Sequence, residues 1–341
     1  MRVESAAVWA YIDEFSTCLG QPLPKTLYHY TDAAGILGIL NTGELWATGV
    51  QYARNTVEFK RAVGAALHYV NERLESSQVQ PFWDDGMKVE LCADPIKRHM
   101  IFEQEILQMV CERLEHHLRA DYSSCIVSFV DKHDEKEHWH AYSENGGYAL
   151  GFFADKLNLL ASHSKFHIFP CYYTSWDKQA QIVRGAVLGG LQGWVARINL
   201  LYEETPDLLE AWESSGDILK READEIILIV LQAASLLKHE SHQDEGEWRL
   251  LSEELTPETL DYREYRGMVM PFKALALTHQ ELSINRIPLN RVLVGTAEKR
   301  DLALHAVKGL LKKVGGLDVT NTKPEEEPIV SQSRHPTLLD F

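Results

Sequence analysis

Five cysteines, at positions 18, 92, 111, 125 and 171, form no C-x-x-C pair and leave an odd thiol. Neither a zinc ribbon nor a disulfide framework is expected from them. No apolar run approaches the roughly 20 residues of a bilayer span, and Met1-Arg2-Val3-Glu4-Ser5 lacks the basic segment and apolar core of a secretory leader. The expected location is the cytoplasm, with no membrane partner. Positive charge is also scarce: 34 Lys and Arg against 50 Asp and Glu give a net charge of -16. That balance argues against a broad electrostatic hold on nucleic acid and leaves room only for a local basic groove. No G-x-G-x-x-G turn follows a strand and no P-loop lysine motif occurs, which argues against Rossmann and P-loop nucleotide sites. A nucleophile elbow is missing too, so a Ser or Cys hydrolase carries little weight.

What is present is a folded chain of 341 residues, 45% hydrophobic and 25% charged, long enough for one large or two ordinary domains. Leu27-Tyr28-His29-Tyr30-Thr31 reads as a short buried strand. Thr31 or Asp32 then caps a helix over 33–40, which Asn41-Thr42-Gly43 stops before a second strand at 44–48. His29 and Tyr30 are neighbours on one strand, so one faces the core and the other a cleft.

Helical spacing of apolar residues marks 4–18, 55–74 and 95–116, and residues 124–130 form an apolar run short enough to be a buried strand. A charged loop, 131–137, leads to His138-Trp139-His140-Ala141-Tyr142 and the glycine pair 146–147, followed by a strand at 148–153. Trp139 and Tyr142 lie one helical turn apart, and such an aromatic pair beside glycines either stacks on a flat ring or packs the turn. His138 and His140, with His133 nearby, share a metal only on a strand or irregular segment, and no metal is expected. Further along come a strand at 166–173 and helices at 176–201 and 206–239. Glu245, Glu247 and Arg249 then alternate with Gly246, Trp248 and Leu250. On a strand the three charges share one face, which must meet water, a site, or an ion network around Arg249. Strands at 266–272 and 291–295, a helix at 299–313, a short strand at 317–320 and a solvated linker at 321–328 complete the reading.

The motifs H-Y-T (29–31), L-W-A-T (45–48), N-x-x-E (Asn55, Glu58), W-x-x-Y with its glycine pair, and E-x-E-W-R-L (245–250) resemble those of an uncharacterised bacterial family over residues 27–336. Gly295-Thr296 departs from that family's Gly-Pro, and His335 stands where it has an apolar residue. The opening is similar to ADP-ribosyltransferases of the DNA-targeting toxin and RNA 2'-phosphotransferase kinds. This resemblance implies an α+β fold with a mixed, split β-sheet, surrounding helices and a helical insertion near 175–240. The divisions expected are an N-terminal helix (1–24), the main domain (25–320) and a linker and tail (321–341). NAD is the implied substrate. His29 would hold its ribose, Tyr142 or Tyr52 would stack on nicotinamide, and Glu247, with Glu245 as second choice, would stabilise the oxocarbenium-like charge. Tyr30, Thr31, Asn55, Trp139 and Arg249 complete the implied binding set. Such an enzyme would be a toxin or anti-phage effector modifying protein or nucleic acid, with a regulatory or antitoxin partner. With water as acceptor it would be an NAD glycohydrolase. The other class open is a nucleotide-sensing module of the same fold without turnover.

Overall fold

The structure is a computed structural model describing residues 2–53, 56–76, 95–119, 124–135, 138–139, 147–204, 215–253, 259–265, 267–295, 299–314 and 329–333. In chain order its elements are α1 (Arg2–Leu19), β1 (Thr26–Thr31), α2 (Ala33–Thr42), β2 (Glu44–Gly49), α3 (Thr56–Ser76), α4 (Pro95–Arg119), β3 (Cys125–Val130), β4 (Tyr148–Phe153), α5 (Ala154–His163) and β5 (Phe166–Pro170). There follow β6 (Tyr172–Thr174), α6 (Trp176–Glu204), α7 (Ser215–Leu236), β7 (Leu237–His239), β8 (Glu247–Ser252), β9 (Asp261–Tyr265), β10 (Met268–Ala276), β11 (Leu289–Val294), α8 (Arg300–Lys313) and β12 (Ile329–Gln332). The expected strand at 317–320 and the linker at 321–328 lie outside the described residues. No described helix is long and apolar enough to cross a membrane.

The chain divides into two compact units. The first, Met1–Thr17, Arg54–Ser123 and Tyr172–Glu240, is mainly helical. Its helices α3, α4, α6 and α7 pack on one another. Phe59, Ala62, Val63, Ala66, Tyr69 and Val70 recur every three or four residues on α3 and are buried, as are Ile106, Val110 and Leu114 on α4. Trp194 of α6 and Ile226, Ile227, Val230 and Leu231 of α7 are buried in the same unit. Each fully buried Val, Leu, Ile or Phe side chain among these contributes about 1.5–3 kcal/mol by leaving water. The helices expected near 175–240 thus form one unit with those of 54–123. The strand expected at 166–173 is two strands: β5 pairs with β8, whereas β6 pairs in parallel with β7 in a separate two-stranded sheet.

The second unit, Cys18–Ala53, Ser124–Cys171 and Ser241–Phe341, is built on a mixed sheet of ten strands, so the fold is α+β. Among the described residues, only β11 and β12 pair in parallel within it. Local chemistry sets its first elements. Asp32 caps α2, its Oδ1 accepting from the Gly35 N–H at 2.7 Å, and Gly43 ends the helix at φ 71° with its N–H on the Ile39 carbonyl.

The sheet forks at β3. One edge of β3 pairs with β8 from Ile126 to Val130. The other pairs with β1 at Val130 and with β2 at Cys125 and Ile126. From there β4, β11 and β12 continue one arm, and β10 and β9 the other. Among the described residues, Val127, Ser128 and Phe129 have no strand partner on the forked edge. Tyr28, Tyr30, Val130, Trp139, Ala149 and Leu293 make a core cluster on one side of the first arm.

Candidate functional site

His29 turns its ring into the fork. Its Nδ1 lies 3.0 Å from the Ser128 carbonyl, on the stretch of β3 edge that lacks a strand partner. A carbonyl only accepts, so Nδ1 carries the proton and a neutral ring keeps Nε2 as an acceptor. Burial pushes the His29 pKa below 6.5, the Ser128 bond opposes that shift, and the positive charge of Arg263 adds to it. His29 is therefore a neutral imidazole at neutral pH.

Arg263 comes from β9, on the other arm. Its Nη2 donates to Thr48 Oγ1 at 2.8 Å. Its guanidinium carbon sits 5.6 Å from the Trp46 ring centroid, 5.7 Å from Tyr265 and 5.8 Å from Phe272. Trp46 and Phe272 are themselves 4.7 Å apart, and the Trp46 Nε1–H is held by Glu44. Register explains the grouping: Thr48 opposes Phe272 and Trp46 opposes Ala274, while Arg263 opposes Met270, so these side chains share one face. Arg263 Nε is buried without a hydrogen-bond partner. The fork thus has a neutral acceptor within electrostatic reach of a guanidinium that is bordered by flat aromatic surface, groups suited to a hydroxyl, an anionic oxygen and a ring.

Glu247 is enclosed in the sheet. Tyr28 opposes Val130, and Val130 opposes Glu247, so these three share one side of the sheet. His29 is one residue out of phase with Tyr28, so its Cβ leaves β1 on the other side; Thr48 opposes Ile126, in phase with Val130, so Thr48, Trp46 and Arg263 start from the side of Glu247 too. Glu247 and Arg249 are 3% and 6% exposed, so of the expected surroundings (water, a site or an ion network around Arg249) they show the last, an enclosed ion pair. Arg249 Nε donates to Glu247 Oε1 at 2.9 Å and Nη2 to Oε2 at 3.1 Å, so both carboxylate oxygens are engaged by one guanidinium. Such a pair survives burial because each charge compensates the other. Glu245 does not share the strand. Gly246 at φ 51° breaks the backbone between them, and Glu245 ends a short 3-10 turn with its carboxylate 3.1 Å from His242 Nδ1.

The remaining expected site residues divide between packing and surface. The Tyr30 hydroxyl accepts from the Asp134 N–H at 3.0 Å, and Trp139 Nε1 donates to Asp134 Oδ1 at 3.0 Å. The two rings meet edge to face at 4.8 Å, which fixes both in the core. Thr31 closes β1, and its Oγ1 occupies the space above Gly35, where a Cβ would come within 1.8 Å. Tyr52 is 38% exposed and packs on Gly49. Tyr142, Asn55 and His140 lie outside the described residues. His138 is buried with Nε2 donating to the Glu245 carbonyl, and His133 Nε2 accepts from Arg291. Glu58 of the N-x-x-E motif serves the helical unit, where its Oε1 accepts from the His239 N–H at 2.8 Å. There Arg61 lies over Trp176, which stacks on His239. Sequence reasoning missed Arg263 because β9, mostly exposed, carries no apolar pattern. Trp46, by contrast, stood in the L-W-A-T motif.

A model of a family described as a protein of unknown function, DUF2971, matches residues 138–250. The two ends of that match meet through the bond from His138 to the Glu245 carbonyl. No curated protein and no solved structure matches the chain.

Proposed function

We propose that the protein is a nucleotide-binding module that takes its ligand in the fork of the sheet, with NAD as the nucleotide it holds. One observation carries the reading: His29, its Nδ1 held by the Ser128 carbonyl, is close enough to Arg263 for that guanidinium's charge to lower its pKa, and Trp46, Tyr265 and Phe272 surround the guanidinium. His29 Nε2 accepts from a ribose hydroxyl, Arg263 pairs with a phosphate oxygen, and Trp46 or Tyr265 offers a face to a ring. The choice of NAD rests on the resemblance of H-Y-T and its flanking motifs to ADP-ribosyltransferases.

Binding is favoured over turnover because Glu247, the candidate for stabilising an oxocarbenium ion, is enclosed and has both carboxylate oxygens tied to Arg249. ADP-ribosyl transfer to protein or nucleic acid, or NAD hydrolysis, is the second reading. The E-x-E-W-R-L motif favours it, and it requires Glu247 to exchange Arg249 for substrate. Calorimetric titration with NAD tests the first reading: saturable binding is expected for the wild type and a loss of at least roughly tenfold for Arg263→Met, since a charge-assisted bond contributes about 1.5–3 kcal/mol. Equal affinity in the variant would remove the fork from the site. Nicotinamide release by the wild type that Glu247→Gln abolishes would decide for turnover.

A further inference from the structure

We propose that His163, His279 and Glu281 form a site for a divalent transition-metal ion, with zinc the ion its donors suit. One ligand atom from each residue lies within 4.8 Å of the other two. The two imidazole rings are in contact, their centroids 4.1 Å apart. Two imidazoles and a carboxylate are borderline donors of the kind zinc takes, with bonds of about 2.0–2.2 Å and donor atoms about 3.3 Å apart around a tetrahedral ion. Reaching that spacing needs only side-chain adjustment, since His163 and Glu281 are exposed.

The backbone on both sides is fixed. His163 is the last residue of α5, closed by the Ser164 N–H on the carbonyls of Leu160 and Ala161. His279 opens a tight hairpin after β10: its N–H donates to the Ile284 carbonyl at 2.7 Å and the Ile284 N–H returns the bond at 3.0 Å. Ser283 turns the chain at φ 56°, leaving Glu281 near the tip.

A second observation points to a ligand here. The Nδ1 of His279 is buried and has no hydrogen-bond partner. Buried ring nitrogens are ordinarily satisfied, and a cation bound at that nitrogen would give the ring the partner it lacks among the described residues. Three protein donors leave one coordination position for water or another ligand. The same hairpin, through Thr278, Ser283 and Ile284, walls a cleft of about 480 Å³ that also carries Lys156 and Arg286. The ion would pin the end of α5 to that hairpin. Sequence spacing does not reveal the site because the two histidines come from separate parts of the chain.

The test uses the full-length protein stripped with chelator and titrated with Co²⁺, followed by displacement with Zn²⁺. One equivalent of Co²⁺ with the visible absorption of a four-coordinate nitrogen and oxygen site is expected, together with a rise in melting temperature on adding Zn²⁺. His163→Ala and Glu281→Gln, both at exposed positions, should fold normally by circular dichroism and lose the absorption and the thermal shift. The proposal is overturned if the wild type takes up neither metal saturably. It is equally overturned if the double variant keeps the same stoichiometry and spectrum, which would place the ion elsewhere. Should the double variant fail to fold, Glu281→Gln alone decides, because an unchanged Co²⁺ spectrum there removes the carboxylate from the site.

Discussion

A ring held by one carbonyl, as His29 is by Ser128, ties its charge state to the fold. The folded pKa is lowered from 6.5, chiefly by burial, so the folded chain binds fewer protons than the unfolded chain as pH falls. Protonation then favours unfolding: stability is complete above pH 6.5, declines as pH drops below it, and levels once the folded His29 itself protonates. Substituting Asn removes the titration and can keep a donor to the Ser128 carbonyl. The difference in unfolding free energy between wild type and His29→Asn, measured by urea denaturation across pH 5 to 8, is expected to shrink as the pH falls. A pH-independent difference would show that His29 titrates alike in both states. At this scale the sequence made His29 and Trp46 visible through their motifs. It hid Arg263, whose partners Thr48 and Trp46 reach it only through the pairing of β9 with β10 and of β10 with β2.

Among the elements, the start of β8 departs most from local reading. Alternation from Glu245 to Leu250 has the period of a strand, yet β8 begins at Glu247 because Gly246 takes a left-handed conformation that alternation does not reveal. The cap of α2 was legible because both its signals, Asp32 and Gly43, are local in sequence. The two glycines separate conformational from steric effects. At Gly43, φ is 71° and a Cβ would meet nothing within 4 Å, so alanine costs only the left-handed backbone, about 1–2 kcal/mol. At Gly246, φ is 51° and a Cβ would stand 2.7 Å from Asp131 Oδ1, so the same backbone cost is joined by a clash. Gly246→Ala should therefore be the more destabilising in chemical denaturation, and equal losses would mean that Asp131 moves aside freely. Because the Glu245 carboxylate stays partly exposed beside His242 while Glu247 is enclosed with Arg249, this turn separates a carboxylate near the surface from a buried one.

Across the whole molecule, the chain passes between its two units after Thr17, Ala53, Ser123, Cys171 and Glu240, so the helical unit is assembled from three separate stretches. Periodicity marks helices at 55–74, 95–116, 176–201 and 206–239, the last of which ends at Leu236 because 237–239 form β7, but it says nothing about which of them pack together, since that depends on contacts between distant stretches. The structure packs α3 on both α4 and α6, and α7 on α4 and α6. A fragment of residues 54–123 would keep the pairing of α3 with α4 and lose the surfaces supplied by α6 and α7. Isolated helices and helix pairs are marginal in water when their apolar faces lack partners. The buried Glu58 would also lose the His239 N–H that satisfies its Oε1. The fragment should therefore show weak helical circular dichroism alone and gain helicity beyond the simple sum when mixed with residues 172–240. If 54–123 is fully helical by itself and unaffected by the second fragment, α3 and α4 suffice for each other. In that case the burial of Tyr69 and Val70 on α3 follows from helix pairing rather than from the closing of the chain on itself.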